Sequence, residues 1–249
     1  MTTYTHPTKK AEAGFTLVEL AIVMIIIGLL IAGVLKGQQL IGNAKVTAQV
    51  AQIKSIDAAT STFKDMYAAL PGDISNASTR LPNCGAAPCA TNGNGDGSVQ
   101  GPLTFGAAPA GEQLTYFVHL SAADLMTGIN PALGAAVWGG QMPQNKINGG
   151  IDVGSAAGGA QLSNGTSIVA ASVIGGIYLA LHNAQGAVAG DALSANQAAR
   201  IDTKIDDGNP SSGSVFPAGV VGAAGCTNAG AYLEAVQGNN CGLYIRIQG

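Results

Sequence analysis

Residues 15–35, FTLVELAIVMIIIGLLIAGVL, carry a single ionisable side chain in 21 positions. As an α-helix they reach about 31 Å, the thickness of bilayer hydrocarbon. The run predicts a membrane-spanning helix, because a core helix of a soluble domain keeps a polar stripe. Charge is scarce throughout: Asp, Glu, Lys and Arg make up 10% of the 249 residues, against roughly 25% in ordinary globular domains. The 36 glycines follow no period of three, which excludes a collagen-like rod. Residues 167–182, SIVAASVIGGIYLALH, are the nearest to a second such run, but their Gly pair and β-branched side chains read as buried strand.

What precedes the span is as informative. Lys9 and Lys10 lie before it and Lys36 after it, a slight bias toward a cytoplasmic N-terminus. A secretory signal places its small-residue cleavage site after the apolar stretch. Here the small residues, AEAG at 11–14, come before it, so a cut there leaves the apolar segment on the mature chain.

The string KKAEAG followed by FTLVELAIVMIIIGLLIAG resembles the N-terminus of type IV prepilins and type II secretion pseudopilins. The likeness rests on a short basic leader, a Gly immediately before a Phe, a Glu at the fifth position from that Phe, and an unbroken apolar helix. It covers about residues 9–70, with the remainder as the variable head of that family. It implies that a membrane aspartic peptidase cuts after Gly14 and methylates the new amine of Phe15, and that Glu19 is the assembly acid. One departure is Lys36, which stands near the position where many pilins carry a proline.

Glu19 has a physical reading of its own. A carboxylate inside hydrocarbon costs up to about 2.5 to 3.5 kcal/mol at a helix centre, less near the interface, and therefore calls for a partner. Before cleavage the Phe15 nitrogen is an uncharged amide; afterwards it is an amine, protonated at neutral pH, one turn from Glu19. Whether the two pair within a chain or between neighbours stays open; the resemblance implies the neighbour. Gly28, Gly33, Gly37 and Gly42 each cost about 1 kcal/mol of helix propensity. Close helix packing explains them, with Gly33 and Gly37 forming a GxxxG step.

Beyond the span, Val46, Val50, Ile53, Ile56, Thr60, Phe63, Tyr67 and Leu70 step by three or four, the pattern of an amphipathic helix. Pro71 and Gly72 are expected to end it. The expected organisation is a leader at 1–14, a transmembrane and filament-core helix at 15–35, a stalk at 36–70 and a globular head at 71–249. The fold class is α+β, a long N-terminal helix packed on a small head with an antiparallel sheet. Head helices are expected from Glu112 toward Gly128 and from an N-cap at Ser194 to Gly208 and Pro210. Strands are expected at 135–138, at 168–181 in one or two pieces and at 243–247, while the Gly- and Ser-rich stretch 149–165 reads as surface loop.

All four cysteines, Cys84, Cys89, Cys226 and Cys241, lie in the head. A head outside the inner membrane favours disulfides; of three connectivities, the nearest-neighbour one is favoured, and the Cys226–Cys241 loop resembles the C-terminal loop of many pilins. Asn92, Asn94 and Asp96 fall at positions one, three and five of a calcium-loop pattern, without the acid that normally completes it, so calcium is a candidate ligand. Asp206 and Asp207 are a second, weaker candidate. No hydrolase or nucleotide motif is present and no other cofactor is expected, which disfavours an enzyme. The head carries five Lys and Arg against ten Asp and Glu, which argues against general nucleic-acid binding. The resemblance thus implies a structural subunit of a pilus or pseudopilus. Its partners would be other subunits, the prepilin peptidase, the assembly platform and the inner membrane, with the head in the periplasm before assembly. The alternatives are a minor or tip pilin with an adhesive or DNA-binding head, and a simple single-pass anchor.

Overall fold

The structure, a computed structural model, describes residues 14–101, 103, 109–133, 137–160, 162–163, 168–170, 173–183, 192–219 and 225–247. The chain divides into two compact units, Met1–Ala44 and Lys45–Gly249. Helix α1, Leu17–Tyr67, contributes residues to both. In the first unit every described residue except Gly37 and Gly42 is exposed, including the large apolar side chains from Phe15 to Ile41.

The second unit begins with the rest of α1, whose Val46, Gln49, Val50, Ile53, Ile56, Ala59, Thr60 and Phe63 are buried at helical spacing. The helix stops at Tyr67, three residues before the expected Leu70, because Ala68 turns into the left-handed region (φ 46°) and its N–H bonds the Lys64 carbonyl. That is an αL stop with Ala where Gly is usual. A short helix α2, Ala77–Arg80, follows, then α3, Gln113–Ala122, and α4, Ala195–Ile205. Helix α3 starts where expected but ends well before Gly128. Asp124, with φ 57°, lets Leu125 N–H reach the Leu120 carbonyl and its own N–H the Ser121 carbonyl, a Schellman stop. Helix α4 has the predicted Ser194 cap, completed by Gln197, whose N–H bonds Ser194 and whose side chain bonds back to Ser194 N–H.

Strands β1, Gly150–Ala156, β4, Gly176–His182, β5, Val215–Gly219, and β8, Cys241–Ile247, form one antiparallel sheet in the order β1-β4-β8-β5. Two small pairs accompany it: β2, Leu162–Ser163, with β3, Ile168–Ala170, and β6, Thr227–Asn228, with β7, Ala231–Tyr232. Alternation assigns the faces. Ile177, Leu179, Leu181, Leu243 and Ile245 join the core that contains Phe63, Ile56 and Phe117, whereas Tyr178, Ala180, Tyr244 and Phe216 form a second cluster with Leu162.

Two expectations are corrected. The stretch 149–165 is not surface loop throughout, since 150–156 form β1, whose residues 150–154 are buried, while 157–159 are an exposed turn. Added Cβ atoms would lie 2.1 Å from the His182 carbonyl oxygen at Gly149 and 2.2 Å from the Trp138 ring at Gly150; the glycines mark close packing rather than a solvated turn. The strand expected at 135–138 is reduced, among the described residues, to an isolated bridge between Trp138 and Met142, with 135 and 136 outside them. The strand expected at 168–181 exists in two pieces, and that at 243–247 lies within β8.

Candidate functional site

The segment around Gly14 and Phe15 precedes the first helical residue, Leu17. Thr16 is the N-cap: its carbonyl accepts the Leu20 N–H (3.2 Å) and its Oγ1 accepts the Glu19 N–H (3.2 Å). The Glu19 carboxylate reaches back, Oε2 accepting from Thr16 N–H at 3.0 Å and from the Thr16 hydroxyl at 2.9 Å. This is a reciprocal capping box, and it gives Glu19 a partner inside its own chain in the uncut form. The T-x-x-E spacing could have revealed it in the sequence, where the resemblance drew attention to Glu19 alone. The peptide bond between Gly14 and Phe15 thus lies outside the helix, and Phe15 is 90% exposed.

The candidate assembly glycines do not share one face. At about 100° per residue, Gly33 and Gly37 sit within about 40° of each other, Gly28 about 180° from Gly37, and Glu19, eighteen residues or five turns before Gly37, directly in line with it. Among the described residues nothing lies within 4 Å of a Cβ added at Gly28, Gly33, Gly37 or Gly42. Packing inside this chain therefore does not require glycine at any of them.

In the second unit Cys84 bonds Cys89 and Cys226 bonds Cys241. His119, fully buried, anchors the turn after α1: Nδ1 accepts the Gly72 N–H at 2.9 Å, and Nε2 lies 2.9 Å from the Cys89 carbonyl oxygen. Because Nδ1 accepts, the proton belongs on Nε2 and the ring is neutral. Burial lowers its pKa, against a smaller raising effect of the Cys89 carbonyl. Asp152 joins half-buried Trp138 to buried His182, accepting from Trp138 Nε1 at 3.1 Å and meeting His182 Nε2 at 2.6 Å.

The candidate calcium residues are tied into protein hydrogen bonds. Asn92 Oδ1 accepts the Ala77 N–H at the start of α2. Asn94 and Asp96 bond each other, and Asp96 also accepts from Ser98 N–H and Gln100 Nε2. Two buried acids hold this loop from outside it. Asp73 accepts the N–H groups of Gly95, Asp96 and Gly97, and Glu112 those of Asn94 and Gln100. Nothing in the spacing of the sequence pointed to either.

Asp202, Asp206 and Asp207 bring carboxylate oxygens within 4.8 Å of one another. Burial pushes the Asp202 pKa up to about 6, against the lowering effect of the Tyr232 hydroxyl that donates to it at 2.8 Å. Ser214 N–H and Oγ donate to Asp206, and Asn209 N–H and Ser212 Oγ to Asp207.

Residues 9–35 match the family model described as the prokaryotic N-terminal methylation motif, the prepilin-type cleavage and methylation segment of type IV pilins and pseudopilins. The motif supports a subunit of the type IV pilin or pseudopilin kind and, with the apolar helix, fits a membrane-anchored protein. It is a motif of structural subunits, which assemble with others of their kind and are processed by prepilin peptidase. No curated protein and no solved structure matches the chain significantly.

Proposed function

We propose that the chain is a filament subunit of a type IV pilus or type II secretion pseudopilus, cut after Gly14, methylated at Phe15 and assembled through its N-terminal helix. The observation that carries this reading is the methylation motif at 9–35, leading into a helix whose large apolar side chains from Leu17 to Ile41 are all exposed in the single chain. Left in water, such a surface would aggregate; membrane and then neighbouring helices are its natural solvents. The alignment of Glu19 with Gly33 and Gly37 supports one meridian of α1 as the close-packing face, where small residues let backbones approach. Cleavage adds a cation at Phe15 that competes with Thr16 for the same carboxylate. In this reading Glu19 leaves an intrachain cap for a charged terminus as the filament forms, and the head stands in the periplasm until then.

Sheared surface material is the test. Filaments composed mainly of this chain are the expected result. A few copies at filament tips would instead favour the minor-pilin alternative, and complete absence from filaments in cells that process the chain would contradict both.

A further inference from the structure

Three adjoining clefts lie along the part of α1 in the second unit. The first, about 440 Å³, is lined by Lys64, Leu70, Asp73, Arg80 and Gly97. The next, about 220 Å³, shares Lys64, Leu70 and Gly97 and adds Arg246 and Ile247. The third, about 190 Å³, shares Arg246 and Ile247 and reaches Lys54, Asp57, Ile205 and Ser214. Residues 45–249 hold eight Lys and Arg against twelve Asp and Glu, yet Lys54, Lys64, Arg80 and Arg246, half of those cations, line this one channel. Of its two acids, Asp73 is turned onto loop N–H groups.

The end of α1 accounts for part of this charge, since Arg80 donates to the Tyr67 carbonyl and Lys64 lies in the last turn. It does not account for Arg246. That residue comes from β8, with Nε and Nη2 held at 3.2 and 3.0 Å on the Gly175 carbonyl oxygen, and a Cβ at Gly176 would approach Nε to 2.9 Å. The fold makes room for a cation beside the channel.

The densest negative feature is the loop after α4, where Asp206 and Asp207 are exposed beside Asp202. It adjoins the far end of the same channel, because Ser214, which bonds Asp206, lines the third cleft. Lys64 is ten residues beyond Lys54 on α1, about 15 Å along the axis, several times an ion-pair distance.

We propose that the cationic channel around Lys64, Arg80 and Arg246 receives the acidic loop at Asp206 and Asp207 of a second copy of this chain. The inference rests on the filament reading and names the contact between heads. Donor loop and acceptor cleft are different surfaces, so the contact is heterologous, the kind that a helical filament repeats from copy to copy. Exposed ion pairs of this kind fix register and partner choice more than they add affinity.

The test uses filaments sheared from cells that express the full chain in mixed isotopic labelling. A water-soluble carbodiimide condenses contacting lysine amines and carboxylates. The expected product joins the Lys64 peptide to the Asp206 and Asp207 peptide across differently labelled copies. In parallel, Lys64→Glu with Arg80→Glu is expected to lower filament yield at least about fivefold, with the processed subunit still abundant, and Asp207→Lys is expected to recover part of that yield. Abundant filaments that lack the Lys64 link, links confined to equally labelled copies, or full yield from the double reversal would overturn the contact. A chain that stays unprocessed and never enters filaments would overturn the filament reading, and the contact with it; the processing assay tells the two failures apart.

Discussion

His119 and Asp202 are buried titratable groups with opposite linkage. The His119 pKa lies below its ordinary value near 6.5, so the unfolded chain binds the extra proton first. Its contribution is fully present above about pH 6.5 and is lost as pH falls through the folded pKa. Asp202 is raised from 3.8 to about 6, so the folded state binds the proton first. Its stabilising effect is present below about 3.8 and is lost as pH rises through about 6. Melting temperatures of the detergent-solubilised chain between pH 4 and 8 should separate the two. Asp202→Asn is expected to gain on the parent as pH rises through about 6, and its remaining fall in stability below about pH 6.5 should disappear in Asp202→Asn/His119→Gln. A parent-to-variant gap that does not change with pH would contradict the assignment. At Glu19 the relevant comparison is between two functions of one carboxylate. Glu19→Ala removes the capping box, a change of about 0.5 to 2 kcal/mol in other helices, and is expected to depress filament yield while leaving cleavage after Gly14 largely intact. Normal filament yield in this variant would remove the need for an acid at position 19.

At the scale of elements, α1 was legible because Val46, Val50, Ile53, Ile56, Thr60 and Phe63 keep one helical period, and all six are buried. Its end was less so: Pro71 and Gly72 look like the stop, whereas Ala68 makes it in a conformation that Ala seldom adopts. Strand β1 was hidden because four of the ten residues from Gly150 to 159 are Gly, and those that pack tightly resemble those that turn. Strand β5 was hidden by Pro217, which a sheet tolerates only at an edge, where β5 lies. The same close packing makes Gly150→Ala costly: a Cβ there meets the Trp138 ring at 2.2 Å. Overpacking of about 1 to 3 kcal/mol is expected, seen as a lower denaturation midpoint. In the N-terminal part of α1, Gly37→Leu, in line with Glu19, should reduce assembly more than Gly28→Leu on the opposite side. Equal effects would mean that no single meridian of the helix is privileged.

For the whole molecule, the separation into a methylation-motif segment and an α+β head was readable before any coordinates, since an apolar run bearing one charge has few physical uses. The ties that hold the loops of the head were not. Its loops are held by Asp73, Glu112 and His119, which contact residues distant in sequence and follow no local pattern. The disulfides were readable as candidates from their spacing, and the Cys226–Cys241 bond, closing 15 residues, is expected to contribute about 3 kcal/mol. Chemical denaturation of Cys226→Ser/Cys241→Ser should show a loss of that order with the Cys84–Cys89 bond intact. In the proposed function the chain is released from its first fourteen residues so that a charged Phe15 leads an apolar helix into a polymer. Mass spectrometry of the N-terminal peptide from membranes and sheared filaments tests it most directly. The account predicts a mature chain that begins at Phe15 and carries one methyl group on its amine. A filament population that retains residues 1–14, or a mature chain cut beyond residue 35, would contradict it.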